Sequence, residues 1–501
     1  MPRGGNSTQG NRYTRLQNVN YGRDQNVHNG SGDFIVGGEI TNVGGGLVQN
    51  FIAAGSKAHQ GLWSAIGGVG ASHRSEQQFS RGECLKGTRE KVLGAIHDWR
   101  TSETHSPPIC WLSGAAGVGK SAIAMTVAKS CEDDGLAASF FFLRSDPKRN
   151  KPSALMLTIA HGLVTNMPFA RAFINRRISD DPTILEATLE EQFQDLVLKP
   201  TLRRKWLKRL LANLSLTSKE PHLVIIDGLD ECADDGTQLR ILSIILSSYQ
   251  QSSRSPLQFL ICSRPESWIR EAFEAEPLRQ ITKPIVVDDK DYLASRDIER
   301  YYLHEFGQIR ADPKHARVHF PNPWPSVEDL ARLVRKASGQ FVYAVTVIKF
   351  ILLVYHNPIT QLRIILDYTP LAQKRSSNSS FSELDRLYDI VFSINPEHGK
   401  LLSILVAIIF VGPYVPPSPI FVESLLNLPS GDVDLTLRTM HSVLDVRGGR
   451  DPIRVFHTSF RDYILDETRS GPFCIYRTAQ YDFIARKWLQ ALSVDNVKTY
   501  R

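Results

Sequence analysis

"ICWLSGAAGVGKSAIAMTVAKS" occupies Ile109 to Ser130. Its first five residues form a short apolar run that reads as a buried strand. The next eight, Gly114, Ala115, Ala116, Gly117, Val118, Gly119, Lys120 and Ser121, fit G-x-x-x-x-G-K-[ST]. "KSAIAMTVAKSCEDD", from Lys120, reads as a helix. A glycine-rich turn between a strand and a helix curls the backbone so that its N–H groups converge on an anion at the helix N-terminus. In such a P-loop Lys120 reaches the β- and γ-phosphates, and the Ser121 hydroxyl serves as a magnesium ligand.

A phosphate loop of this kind needs a second acid. "VIIDGLDEC", Val224 to Cys232, supplies a candidate in Asp227 at the end of an apolar run. Carboxyl ends of parallel strands gather on one edge of a sheet, which predicts Asp227 close to Ser121 and able to hold magnesium through water or through Ser121. Gly228 leaves room for backbone beside phosphates. Asp230 and Glu231 follow, both ionised at neutral pH. One of them can orient and deprotonate water. Glu231 is the favoured base, with Asp230 as a helper or second magnesium-shell ligand. The alternative is that both acids cap a helix starting near Asp234. Arg264, in "ICSRP", stands at the end of another apolar run, where it can touch a γ-phosphate or simply face solvent.

Outward from these motifs, apolar runs alternate with helical patterns. Strands are expected at Ala137–Leu143, His222–Asp227, Leu257–Ser263 and Gln280–Asp289, besides Ile109–Ser113. Helical patterns fill 153–166 and 185–215, and the stretch from about 290 to 375 reads as helical throughout. This is the signature of an α/β fold, a parallel sheet covered by helices on both faces. Further on, "VLDVRGGRDPIRVFH" reads as a strand pair around a turn at "RGGRD".

The bulk numbers agree with this texture. Of 501 residues, 42% are hydrophobic and 22% charged, as in an ordinary globular chain. A net charge of +7 over that length does not suggest a nucleic-acid coat, so no nucleic-acid partner is expected. Cys84, Cys110, Cys131, Cys232, Cys262 and Cys474 form no CxxC pair. That argues against zinc and fits a reducing, cytoplasmic setting. The apolar runs Phe341–Tyr355 and Leu401–Gly412 are shorter than the ~20 residues that span a bilayer and read as buried helices. Residues 1–75 are rich in Gly and Asn and are expected to be disordered. Within them "DFIVGGEI" and "ITNV" could pair as strands with other copies of the chain.

Together "GAAGVGKS", "LVIIDGLDEC" and "FLICSRPE" resemble the NACHT family of signal-transducing P-loop NTPases, most of all its fungal branch. "GQFVYAV", "ELDRLYDIVF" and "VFHTSFRDYIL" agree more weakly. The resemblance implies a nucleotide-binding domain at 80–288, a small helical domain at 289–375, a winged-helix domain at 376–470 and a helical tail at 471–501. It implies that His457 touches the β-phosphate in an ADP-bound resting state, and that adenine packs on Cys84–Arg89. It also implies a signalling switch. ATP or GTP with magnesium would hold an open homo-oligomer, slow hydrolysis would reset it, and the setting would be non-self recognition or programmed cell death through a protein partner or trigger. The family's long repeat array after the winged helix is missing from this stretch of chain. The alternative is a conventional ATPase or kinase whose output is catalysis or motion. The sequence shows no arginine-rich lid for a kinase.

Overall fold

The computed structural model describes residues 32–36, 39–43, 60–75, 82–102, 106–202, 222–250, 255–287, 294–353, 356–368, 381–476 and 478–493. The chain divides into two units, Met1–Ser56 and Lys57–Arg501. In the first, β1 (Gly32–Val36) pairs antiparallel with β2 (Glu39–Val43) within one chain. The rest of the expected disordered tail up to residue 59 lies outside the described residues.

Residues 60–75 correct that expectation. Leu62, Ile66, Val69 and Ala71 are buried in the core of the second unit. The carbonyl of Ala71 accepts from Phe141 N–H at 2.9 Å, which covers an edge strand that would otherwise invite pairing.

The second unit is built on β3 (Ile109–Ser113), β4 (Leu136–Phe141), β5 (His222–Asp227), β6 (Leu257–Ser263) and β7 (Thr282–Val286). All pair in parallel, in the order β4-β5-β6-β3-β7. Period-two alternation sends successive residues to opposite faces. Cys110, Leu112, Leu223, Ile225, Leu260 and Cys262 pack under α1 (Glu90–Thr101) and α2 (Lys120–Ser130). Ile109, Trp111, Val224, Ile226, Phe259 and Ile261 pack under α3 (Ser153–Asn166), α4 (Pro168–Asp180), α5 (Asp235–Gln250) and α6 (Ser267–Glu274). Leu223 to Ile226 are all within 1% of full burial, so each contributes roughly 1.5–3 kcal/mol and one polar substitution would break the strand.

Several expected boundaries move. β4 ends at Phe141 because Leu143 N–H turns away to the Arg149 carbonyl. β7 is shorter than 280–289, since Arg279–Ile281 form a 3-10 turn ahead of it. The 185–215 pattern gives a 3-10 turn (Pro182–Glu186), a short α-helix (Leu189–Gln192) and a π-helical turn (Phe193–Leu198), and residues 203–221 lie outside the described residues.

Beyond the sheet run α7 (Ala294–Ala311), α8 (Val327–Ala337), α9 (Phe341–Ile351) and α10 (Pro358–Asp367). The stretch is not helical throughout. Residues 312–326 hold one 3-10 turn, and Pro321, Pro323 and Pro325 cannot donate helical hydrogen bonds. Then come α11 (Ser382–Ser393), α12 (His398–Val411), α13 (Pro419–Leu426) and α14 (Asp432–Leu437). The hairpin β8 (Leu444–Asp445) and β9 (Arg454–Val455) follows, then α15 (Thr458–Leu465) and α16 (Thr478–Ser493). One continuous hydrophobic cluster runs from Ile298 to Ile484, so α7 through α16 share a core. Among the described residues no single helix is long and apolar enough to cross a membrane.

Candidate functional site

The loop after β3 is shaped by its glycines. Gly117 and Gly119 have φ of 81° and 94°, left-handed backbone that favours glycine. A Cβ on Gly117 would overlap Val342 Cγ1 and stand 2.9 Å from Val342 Cβ. Val342, in the first turn of α9, also donates its N–H to the Gly117 carbonyl at 3.0 Å. The loop is therefore gripped from outside the sheet. Lys120 Nζ donates to the carbonyls of Gly114 at 2.7 Å and Ala115 at 2.9 Å.

A cavity of about 350 Å³ opens beside this loop. Ala116, Gly117, Gly119, Lys120, Ser121 and Ala122 form one wall. Gly114 and Val118 are buried behind it, and Ala115 faces out. The strand edges contribute Asp227, Gly228, Asp230, Glu231 and Arg264, and α15's approach contributes His457. The register explains the convergence: Asp227 pairs with Cys262, and Leu112 pairs with Cys262 on its other side. The carboxyl ends of β3, β5 and β6 are thus level. Among the described residues no group of three His, Cys, Asp or Glu side chains could hold a metal alone. Ser121 and Asp227 both line the cavity wall beside the loop.

The capping alternative for the acids fails. Asp234 itself caps α5, accepting from Thr237 N–H at 2.7 Å. Asp230 and Glu231 instead sit in a 3-10 turn, Leu229–Glu231, started by Gly228 at φ 72°. Asp230 is 3% exposed. Its Oδ1 accepts from Arg264 N–H at 3.0 Å, and its Oδ2 lies 3.4 Å from Arg264 Nε. Glu231 Oε2 accepts from Arg144 N–H at 3.1 Å, and the Arg144 guanidinium donates to the Asp230 carbonyl. Two adjacent acids are stable here because cationic and N–H partners surround them.

Arg264 is not a solvated strand-end residue. Its Nη1 is 2.7 Å from Asp462 Oδ2, and its Nη2 donates to Thr458 Oγ1. Burial alone would lower its pKa, but Asp462 and Asp230 outweigh that and raise it. Burial holds the Lys120 ammonium below the ordinary lysine value, with Asp230 and Asp227 offsetting part of the cost.

His457 precedes α15 with its ring fixed. Nδ1 accepts from Ser459 N–H at 3.1 Å and lies 2.6 Å from Ser459 Oγ, which is 2.8 Å from Tyr388 OH. An accepting Nδ1 places the ring proton on Nε2. The ring's Cε1 edge faces Gly117. Cys84, Leu85, Thr88 and Arg89 also line the cavity. Arg89 donates from Nη2 to the Val118 carbonyl at 2.5 Å and stacks 4.7 Å over Phe341.

Sequence reasoning missed Arg144, Thr458, Asp462 and Lys349 as neighbours of this cavity. The only local signal was the spacing of Thr458 and Asp462, four residues apart and so on one helix face.

A parallel five-stranded sheet wrapped in helices, a glycine loop cradled between β3 and α2, and an acid level with it at the end of β5 define a P-loop NTPase-like α/β region. A family model described as "Nephrocystin 3, N-terminal" matches residues 87–264, from the turn before α1 to Arg264. No curated protein matches the chain. Among solved structures, the chain is similar to Drosophila ORC bound to GC-rich DNA and Cdc6, at 12% identity and a TM-score of 0.25, covering 94% of this chain and 78% of that one. Drosophila ORC bound to DNA gives 12% identity and a TM-score of 0.25, covering 90% and 68%. At such scores the fold class rests on the sheet order and loop geometry, not on these neighbours.

Proposed function

We propose that this chain is a nucleotide-dependent signalling switch of the NACHT type, held closed by contacts between its phosphate edge and its C-terminal helices. The observation that carries this reading is Arg264. One side chain bridges Asp230, beside the P-loop, and Asp462 with Thr458 on α15. A group that binds a γ-phosphate in one state and a distant helix in another is a two-state element.

In this reading residues 80–288 bind ATP or GTP, 289–375 form the helical domain and 376–470 a winged-helix domain. The run of α12, α13 and α14 before the β8–β9 hairpin supports the last assignment. Lys120 neutralises phosphate charge, Ser121 and Asp227 hold magnesium, and Glu231 accepts a proton from water. Magnesium, when bound, supplies charge neutralisation at the phosphates. His457, donating from Nε2, favours the ADP-bound resting form. Hydrolysis is slow and resets the switch. Triphosphate binding frees α15 and promotes homo-oligomers in the cytoplasm. A role in non-self recognition or cell death follows from resemblance to NACHT proteins alone.

The test is mass photometry of the purified chain with ADP and with a non-hydrolysable ATP analogue, beside identification of the nucleotide that co-purifies. Assembly is expected with the triphosphate only. If Lys120→Ala leaves both nucleotide binding and assembly intact, the proposal is wrong.

A further inference from the structure

The cavity has a second polar corner that the P-loop chemistry does not use. Lys349 interrupts the apolar helix α9 two turns beyond Val342, and it lines the cavity. Its Nζ lies 2.8 Å from the centroid of the Phe456 ring. Among the described residues it makes no hydrogen bond and no ion pair. Ser442 lines the same cavity, is 2% exposed, and its Oγ has no hydrogen-bond partner among the described residues. Phe456 lies next to both. Its ring meets Lys349, and its N–H donates at 3.0 Å to the carbonyl of Val443, the residue after Ser442. Phe456 is followed directly by His457, so this corner adjoins the wall that faces the P-loop.

A half-buried ammonium held only by an aromatic ring, and a buried hydroxyl with no hydrogen-bond partner, are costly unless a polar ligand completes them. Two other charged groups face this region. Asp445 is tied to Arg447 at 3.0 Å, and Glu305 lines the cavity from α7 with its carboxyl pKa raised by burial. Neither forms a salt bridge with Lys349. Burial holds the Lys349 ammonium down to about 8, with Asp445 offsetting part of it, so an arriving anion gains a desolvated cation.

We propose that Lys349 and Ser442 form a second phosphate-recognition subsite in this cavity, set between α9 and the β8–β9 hairpin region, so that one phosphate group fastens the two together. The subsite rests on the nucleotide reading above only for the identity of its richest phosphate source. That source is either the phosphate chain of the nucleotide on the P-loop or a separate small phosphate.

The experiment is calorimetric titration of the full chain with ADP, with ATP, and with pyrophosphate after saturation by ADP. It is run on wild type and on the Lys349→Met, Lys349→Arg, Ser442→Ala and Lys120→Ala variants. Loss of a charge-assisted contact weakens binding roughly 10- to 100-fold. That loss is expected for Lys349→Met, with a smaller loss for Ser442→Ala and retention in Lys349→Arg. A loss seen with ADP or ATP, and no pyrophosphate binding, assigns the nucleotide's own phosphates. A loss seen with pyrophosphate on ADP-saturated protein assigns a separate anion. Unchanged affinity for all three ligands in both Lys349→Met and Ser442→Ala overturns the subsite. Folding is controlled by melting the ligand-free variants. Lys349→Met should melt no lower than wild type, and Ser442→Ala keeps the test open if it does. Lys120→Ala separates the two claims: if it leaves nucleotide affinity intact while Lys349→Met weakens it, the P-loop reading fails and the subsite stands.

Discussion

Gly117→Ala is the sharpest probe of how the loop is held. Two costs are separable. Left-handed backbone costs an alanine about 1–2 kcal/mol whatever surrounds it. The new Cβ also collides with Val342, which is 9% exposed in the core around α9 and cannot retreat freely. Overpacking of this kind costs about 1–3 kcal/mol. The single variant should therefore lose roughly 2–5 kcal/mol. Val342→Ala alone removes two methyl groups, about 1.5 kcal/mol at ~0.8 each. Combined, the second change removes Val342 Cγ1, the nearest atom in the way of the new Cβ, while Val342 Cβ stays 2.9 Å from it. The double variant should then be about 1–3 kcal/mol more stable than the sum of the singles, within the range measured for contacting pairs. Urea unfolding followed by tryptophan fluorescence reports this, because Trp111 lies in the sheet and Trp324 in the helical cluster. Strict additivity, with coupling under about 0.5 kcal/mol, would refute the contact between loop and α9.

Other consequences follow from named contacts. The fall of Lys349 from 10.5 to about 8 corresponds to roughly 3 kcal/mol lost from the folded state at neutral pH. Between those values the unfolded chain binds more protons, so stability rises with pH across that window; the rise should vanish in Lys349→Met, read as the difference in Tm between pH 7.5 and 10. Asp462→Ala removes one anchor of Arg264 and should raise the assembled fraction with an ATP analogue several-fold in mass photometry, while an unchanged fraction counts against the latch. Ser459→Ala deletes the hydroxyl between Tyr388 and His457 and should cost about 1–3 kcal/mol. Nitrogen chemical shifts of His457 should report the Nε2–H form in wild type, and finding the Nδ1–H form contradicts the geometry.

The legible parts were those with local signatures. "LVIID" reads as a central strand because four consecutive apolar residues, Leu223 to Ile226, suit a two-sided sheet, and the glycine positions of the loop announce left-handed backbone. The end of β4 was misjudged because its apolar run continues past the ladder: Leu143 is buried, yet its N–H turns to the Arg149 carbonyl and not to β5. The start of β7 was misjudged because residues 279–281 close a 3-10 turn before it. The partner of Arg264 could not be read at all. Asp462 lies 198 residues away, and no periodicity links them. The acids at 230 and 231 showed the same limit. Local rules offered them as a base and its helper or as helix caps, and the contacts with Arg264 and Arg144 come from residues far along the chain.

The cavity takes its walls from the sheet, from α9 and from the stretch around His457. Its volume is therefore a measure of how far apart these pieces stand. Whatever fills it is bound by linkage to their spacing, and affinity and shape become one variable seen from two sides. A fragment ending at β7 would keep every residue of the loop and lose the ceiling over it. The same chain can then grip or release a ligand without altering a single group of the glycine loop.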